Sequence, residues 1–332
     1  MINKVAWAVQ PGQKSMNRST RLVAGLQELG AISPDAQFVH HGRAETTSQS
    51  TQASPLLPRI PHDDLGTTAV MSPVFTCAPD SPQFGWIDLF DDWSIAPDIN
   101  RLYRTYSKIF YQRLKRVHKL PATVTVNSPY MAGMLGLRQD NIVHNGVDPA
   151  LASVQHTGDQ RRRLIVLGHF FEGRTDLALL RSVVEAGRFD QVAICGLTPG
   201  QRIYQPMQRA VSSCASVVVE EFVAPDHLGR YIGANTVALI PNAVSDYTVS
   251  QDMMKMYTFV ALGVNAICPL HLIPRTIPLE AVYAVGPGLN MARTLPDWIV
   301  GSSRLSIQDR MDFARQHSWL ARATVIADRI AR

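Results

Sequence analysis

Short apolar runs alternate with amphipathic stretches along this chain, and the alternation occurs in two successive series. Val5–Val9 is an apolar run ending at Pro11-Gly12, and a helical period over Asn17–Leu29 follows, closed by Gly30. Strand, glycine-containing turn and helix in that order open a βαβ unit. Residues 43–68 are rich in Ser, Thr, Gln and Pro without a period and predict a long loop. An apolar run at Val70–Phe75 and the segment Trp86–Trp93 precede a helix over Asp98–Lys119. Ala122–Val126 reads as a buried strand, Ser128-Pro129 opens a helix with proline in its first turn, and Ile142-Val143 reads as a last short strand before Asn145-Gly146-Val147-Asp148. After a polar link over 149–162 the second series begins. Its strands are Leu164–Leu167, Val192–Cys195, Val217–Val219, Val237–Ile240 and Ala266–Cys268. Helices are expected over Asp176–Ala186, Tyr204–Val211, Pro225–Ile232 and Asp252–Leu262, and a long final one over Ser306–Ile330.

Strands alternating with helices predict parallel sheets covered on both faces. With 332 residues, two α/β domains are expected: 1–148, and 149–305, with the helix of 306–332 packing back towards the first. In such sheets ligands bind at the carboxyl ends of the strands. A site built from strand-to-helix loops of both halves, across a cleft, is therefore expected.

Composition narrows the class. An apolar share of 46% with 18% charged residues suits large cores and argues against a disordered chain. Cys77, Cys195, Cys214 and Cys268 form no C-x-x-C pair, and two of them end buried strands. They read as reduced thiols of a cytoplasmic protein. No apolar run is long enough to span a bilayer, and the first ten residues lack the features of a signal peptide. The net charge of +5 suits an anionic partner: nucleic acid, an acidic membrane face or a phosphorylated substrate. Neither a P-loop nor a G-x-G-x-x-G fingerprint is present, which removes the main argument for an NAD enzyme.

The most informative segment is Ser250–Pro269, SQDMMKMYTFVALGVNAICP. Asp252 is placed to cap a helix with Lys255 in its first turn, and a helix N-terminus with an ammonium beside it suits a diphosphate. Read bare, the same residues describe an ordinary amphipathic helix. The segment resembles the donor-site helix of GT-B glycosyltransferases. It is closest to the xanthan-type glucuronosyltransferase version, in Met254, Lys255 and Ala266-Ile267-Cys268-Pro269. Gly168–Asp176 (GHFFEGRTD), Ala238–Pro241, Asn145–Asp148 and Ser318-Trp319 resemble further pieces of that architecture in the right order, over about residues 86–330. The resemblance implies two Rossmann-like doubly wound domains and a nucleotide-sugar donor, as a UDP-sugar such as UDP-glucose or UDP-glucuronate. It implies donor contacts from Gly12, Gly168, His169, Arg174, Pro241, Met254 and Lys255, with no metal and no further cofactor. The paired glutamates of the retaining GT4 group fall here on Ser250 and Thr258, which leans towards the inverting branch.

An inverting transferase needs a carboxylate to accept the acceptor hydroxyl's proton. Trp86–Trp93 (WIDLFDDW) resembles an acidic segment of related N-terminal domains, and Asp91 and Asp92 are the candidates. A helix cap, or a pair with Arg101 or Arg104, is the structural alternative. Lys14 and Arg18, in and after the first loop, are candidates for contact with the donor phosphates or the acceptor. Arg101–Lys119 carries seven cations among aromatic and aliphatic residues. It suits an anionic membrane carrying a lipid-linked acceptor, a solvated surface, or nucleic acid phosphates. The expected activity is transfer of a sugar to an acceptor hydroxyl of a polysaccharide or glycolipid. Glycosylation of DNA and sugar-nucleotide epimerisation are the alternatives.

Overall fold

The computed structural model describes residues 1–7, 18–40, 43–44, 68–71, 84–117, 122–286, 295–300 and 305–331. Gly12, Lys14, Cys77, Lys119 and most of the loop at 43–68 lie outside the described residues. The chain divides into two compact units. Unit 1 comprises Met1–Asn145, Ser250–Asp252 and Trp319–Arg332; unit 2 comprises Gly146–Val249 and Met253–Ser318.

Unit 1 contains β1 (Ile2–Trp7), α1 (Arg18–Glu28), β2 (Ile32–His40), β3 (Arg43–Ala44), β4 (Thr68–Met71), β5 (Phe84–Leu89), α2 (Arg101–Arg116), β6 (Thr123–Val126) and α3 (Pro129–Leu135). Its sheet runs β3-β2-β1-β4-β5-β6, with every neighbouring pair parallel except the short β2–β3 pairing. Successive side chains of a strand point to opposite faces. Trp86 therefore joins a layer with Leu22, Leu26, Ala323 and Ile326, while Ile87 and Leu89 pack under Phe110, Leu114 and Met131. Local chemistry sets the helix ends. Asn100 caps α2 by accepting from Tyr103 N at 2.8 Å, and Ser128 with Pro129 starts α3, which Gly136 ends at φ 70°.

Unit 2 contains β7 (Arg162–Leu167), α4 (Leu177–Gly187), β8 (Gln191–Cys195), α5 (Tyr204–Ala210), β9 (Val217–Glu220), β10 (Asn235–Leu239), α6 (Asp246–Val249), α7 (Met254–Leu262), β11 (Asn265–Pro269), β12 (Val282–Val285) and α8 (Ile307–Gln316). The order β12-β11-β10-β7-β8-β9 is wholly parallel and doubly wound, with its switch point between β7 and β10. Leu164 and Val166 face the layer of α4 and α5. Ile165 and Leu167 face that of α7 and α8.

The structure departs from the sequence reading in several places. The helix expected over 306–330 is two: α8, and α9 (Trp319–Ile330), which packs on α1 in unit 1. They part at His317-Ser318, where the His317 carbonyl accepts from Val147 N at 2.9 Å. Pro225–Tyr231 is a 3-10 helix. β2, β3 and β12 are strands that the pattern did not predict, and Ile142-Val143, expected as a strand, makes only an isolated bridge from Ile142 to Val126. Asp252 does not cap α7; its carboxylate accepts from Asn145 N instead. Among the described residues no helix is long and apolar enough to cross a membrane.

Candidate functional site

At the switch point of unit 2, two loops leave the carboxyl ends of β7 and β10 and are stitched together. Asp176 N donates to Pro241 O at 2.7 Å, Ala243 N donates to Arg174 O at 2.8 Å, and Thr175 bridges Asn242. Gly168 begins the first loop at φ 145°, and its N–H donates to Cys195 O at 2.9 Å. A Cβ on Gly196, at φ 103°, would lie 2.0 Å from the Gly168 carbonyl oxygen. Only glycine permits that backbone approach.

Lys255 crosses directly over this turn. Its Nζ lies 2.5 Å from where a Gly168 Cβ would stand, 3.5 Å from Asn242 Oδ1 and 6.0 Å from the Phe170 ring centre. Among the described residues no carboxylate pairs with it. Burial pushes its pKa down to about 8, and the nearby Arg174 charge acts in the same direction. Lys255 occupies the first turn of α7, whose N-cap residue, Met253, supplies no side-chain hydrogen bond. Met256 N donates to Met253 O at 2.9 Å, and the positive dipole end of this turn is not offset by a side chain of its N-cap residue.

Arg174 is fixed from both sides. Its guanidinium carbon lies 4.6 Å from the Phe171 ring centre and 4.5 Å from that of Tyr247, and its backbone is held by the stitching above. Stacking orients the planar guanidinium, a group whose geometry suits oxyanions. His169 is exposed, and local desolvation and the Lys255 charge both lower its pKa. Pro241 is buried and Met254 half-buried. Six of the seven donor residues named from sequence thus lie in one unit, on or beside these two loops and α7.

In unit 1 the acids after β5 separate by environment. Asp88 is fully buried and takes a bidentate contact from buried Arg18: Nε to Oδ2 at 2.8 Å and Nη2 to Oδ1 at 2.9 Å. Thr125 Oγ1 adds a third donor at 2.7 Å and itself accepts from Trp86 Nε1 at 2.9 Å. Arg18 also donates to Asn145 Oδ1 at 3.3 Å, so it is committed to the interior rather than to a phosphate. Asp92 is also buried. Its Oδ1 accepts from Ser94 N and Ser94 Oγ at 3.0 and 2.6 Å, a side-chain turn, and its N–H donates to Ser250 Oγ at 2.8 Å.

Asp91 is only partly buried, and its backbone sits at φ 60°, a conformation that non-glycine residues rarely adopt. Its carboxylate accepts from Asn127 Nδ2 at 3.1 Å on Oδ1 and from Gln251 Nε2 at 2.8 Å on Oδ2. Its carbonyl accepts from Tyr111 Oη at 3.2 Å. Backbone strain held in place by surrounding hydrogen bonds concentrates at functional sites. Sequence reasoning named Asp91 but missed Asn127 and Gln251, whose pairing with it spans 36 and 160 positions.

No family model matches the sequence, and no curated protein sequence matches it. Solved structures do. The fold is of the GT-B type. AviGT4, a glycosyltransferase involved in avilamycin A biosynthesis, shares it with a TM-score of 0.58 and 15% identity, over 99% of this chain and 97% of that chain. A glycosyltransferase from Rickettsia africae gives 0.59 and 10%, over 100% and 99%. The apo lipopolysaccharide outer core galactosyltransferase WaaB gives 0.56 and 13%, over 98% and 99%. Matches that span both chains nearly end to end cover both doubly wound halves. At these identities what is shared is the GT-B architecture.

Proposed function

We propose that this protein is an inverting, metal-independent glycosyltransferase that uses a UDP-sugar. The observation that carries the reading is Lys255, held unpaired by any described carboxylate over the Gly168 turn at the switch point of a doubly wound sheet, with a stacked arginine nearby. The likeness to GT-B structures whose names describe glycosyltransferases supports it. Unit 2 binds the diphosphate through Lys255, Arg174 and the first turn of α7. Unit 1 supplies Asp91 as the base. The acceptor oxygen attacks the anomeric carbon and gives its proton to Asp91. The bond from that carbon to the diphosphate oxygen breaks, and the electron pair leaves on the nucleotide. The cations stabilise this developing charge electrostatically, the task a metal performs elsewhere. Asp91 is preferred over Asp92 because it is more exposed and is held by donors from two other segments, whereas Asp92 serves a local turn with Ser94. Arg174 also suits a donor carboxylate, which favours UDP-glucuronate beside UDP-glucose, and a glycan or lipid-linked hydroxyl is the acceptor.

Calorimetry with UDP tests the donor half. Lys255→Ala is expected to weaken UDP about 10- to 100-fold, the range for one charge-assisted hydrogen bond. The wild-type affinity carries a pH signature. Lys255 is protonated below about 8, where binding needs no proton. A bound diphosphate raises the lysine's pKa, so above about 8 binding takes up a proton and affinity falls as pH rises. That fall is expected to vanish in Lys255→Ala. Unchanged UDP affinity in the variant sinks the donor assignment.

The reading includes peripheral attachment to an anionic membrane through α2. Arg101, Arg104, Lys108, Arg113, Lys115 and Arg116 stand on this helix without a single acid. Leu102 and Ile109, one heptad apart, are 77% and 50% exposed. Apolar residues flanked by cations suit the headgroup boundary, where each cation contributes about 1 kcal/mol. Co-sedimentation with phosphatidylglycerol vesicles, but not with phosphatidylcholine vesicles, is expected and should fall about tenfold in Leu102→Asp/Ile109→Asp. Equal retention on both vesicle types refutes the attachment.

A further inference from the structure

We infer that Gln251 is a positioning residue for Asp91, holding its carboxylate ionised and fixed in orientation; this rests on the proposed role of Asp91 as base. Gln251 Nε2 donates to Asp91 Oδ2 at 2.8 Å, while Asn127 Nδ2 takes Oδ1 at 3.1 Å. The two amides thus divide the two oxygens. Asn127 is almost wholly buried and its amide follows β6 directly, so that donor is set by the sheet. Gln251 comes from elsewhere in the sequence. It belongs to a three-residue piece of unit 1, Ser250–Asp252, that is fixed at both ends. Ser250 O accepts from Ser128 Oγ at 2.6 Å and Ser250 Oγ accepts from Asp92 N. Asp252 O accepts from Asn145 Nδ2 at 2.6 Å. The glutamine therefore projects from a rigid backbone, which favours delivery of its amide to one place.

A neutral amide suits this task better than the alternatives. A cation at 251 would hold the carboxylate too strongly to take a proton. A second carboxylate would repel it and raise its pKa. An amide donor favours the ionised form modestly without neutralising the charge that takes the proton. The positively twisted backbone at Asp91 fits the same purpose. With φ at 60°, its carbonyl is pinned by Tyr111 while the side chain meets the two amides.

The test reads the carboxylate itself. Full-length protein with 13C-labelled aspartate carboxyls is titrated by NMR, with Asp91→Asn identifying the Asp91 signal. Gln251→Met keeps the length of the side chain and removes the donor. It is expected to move the Asp91 midpoint up by about half a pH unit to one unit, and Gln251→Glu further up. The acid limb of UDP-glucose turnover is expected to move with it, while the Kd for UDP stays unchanged. A midpoint and acid limb unmoved in both variants overturn the inference. If instead Asp91→Asn itself turns over UDP-glucose at the parent rate, the base assignment is what fails. The NMR shift then still decides whether Gln251 positions the carboxylate.

Discussion

Replacing Asp91 by asparagine is expected to slow sugar transfer by about 100- to 10,000-fold while leaving UDP binding intact. General-base catalysis contributes about that range, or about 3–5 kcal/mol of barrier. The substitution preserves shape, but its single amide oxygen can accept from only one of the two neighbours and is too weakly basic to take the proton. The nucleotide contacts proposed for Lys255 and Arg174 belong to the other unit, so the Kd for UDP should not change. The effect should appear in kcat as well as in kcat/KM, since the proton moves only as the bond forms. Asp92→Asn is the matched control. Its carboxylate serves Ser94 in a local turn, and a loss there should track stability rather than rate. The transfer product of an α-linked UDP-sugar should be β-linked, read from the anomeric proton coupling. An Asp91→Asn rate within threefold of the parent, or a retained anomer, would end the inverting base mechanism.

Asp88→Ala is the substitution expected to cost most in stability, about 3–5 kcal/mol by urea unfolding. The loss does not come from the attraction of the pair as such. Arg18 is 4% exposed and Asp88 is fully buried, so removing the carboxylate strands a guanidinium away from water. Thr125, which donates to Asp88 Oδ1, loses its acceptor too, and the Trp86 indole above it loses a polarised partner. The double variant Arg18→Met/Asp88→Leu is expected to recover much of the deficit, because an apolar pair of similar volume needs no compensating charge. Losses that simply add across the two sites would show that the pair is not coupled.

The sequence revealed the periodic elements well and the long-range polar pairs poorly. Leu164–Leu167, Val192–Cys195 and Val237–Ile240 are uninterrupted apolar runs, and only a strand covered on both faces explains them. β2 escaped notice because Pro34 and Asp35 interrupt its apolar pattern, and the ladder to β1 is irregular there. The break between α8 and α9 is invisible to periodicity, since helical spacing continues on either side of His317-Ser318. A tertiary hydrogen bond to Val147 accompanies it. Lys255, Arg174 and Gly168 are singled out by local signals, a helix start and a strand-end loop, and the structure brings them onto adjoining elements of one unit. Arg18 was read as a ligand-facing residue because nothing near position 18 announces a partner 70 residues away. Gln251 carries no local signal for the same reason, and Asp252 looks like a cap in sequence because a carboxylate before a helix usually is one, whereas its partner here is Asn145 N.

The way unit 1 is distributed along the gene limits how such a protein can be taken apart or recombined. A fragment ending at Asn145 would carry all six strands of that sheet but lack α9, which sits so close to α1 that a Cβ on Gly25 would stand 2.8 Å from Ala323 Cβ. It would also lack Asp252, the acceptor for the Asn145 backbone. A single crossover at the apparent domain boundary would therefore give a hybrid whose first half is completed by a stranger's three residues and a stranger's last helix. Exchange of one whole unit for another therefore needs cuts at four points in register, whereas a substitution inside a unit leaves these ties intact.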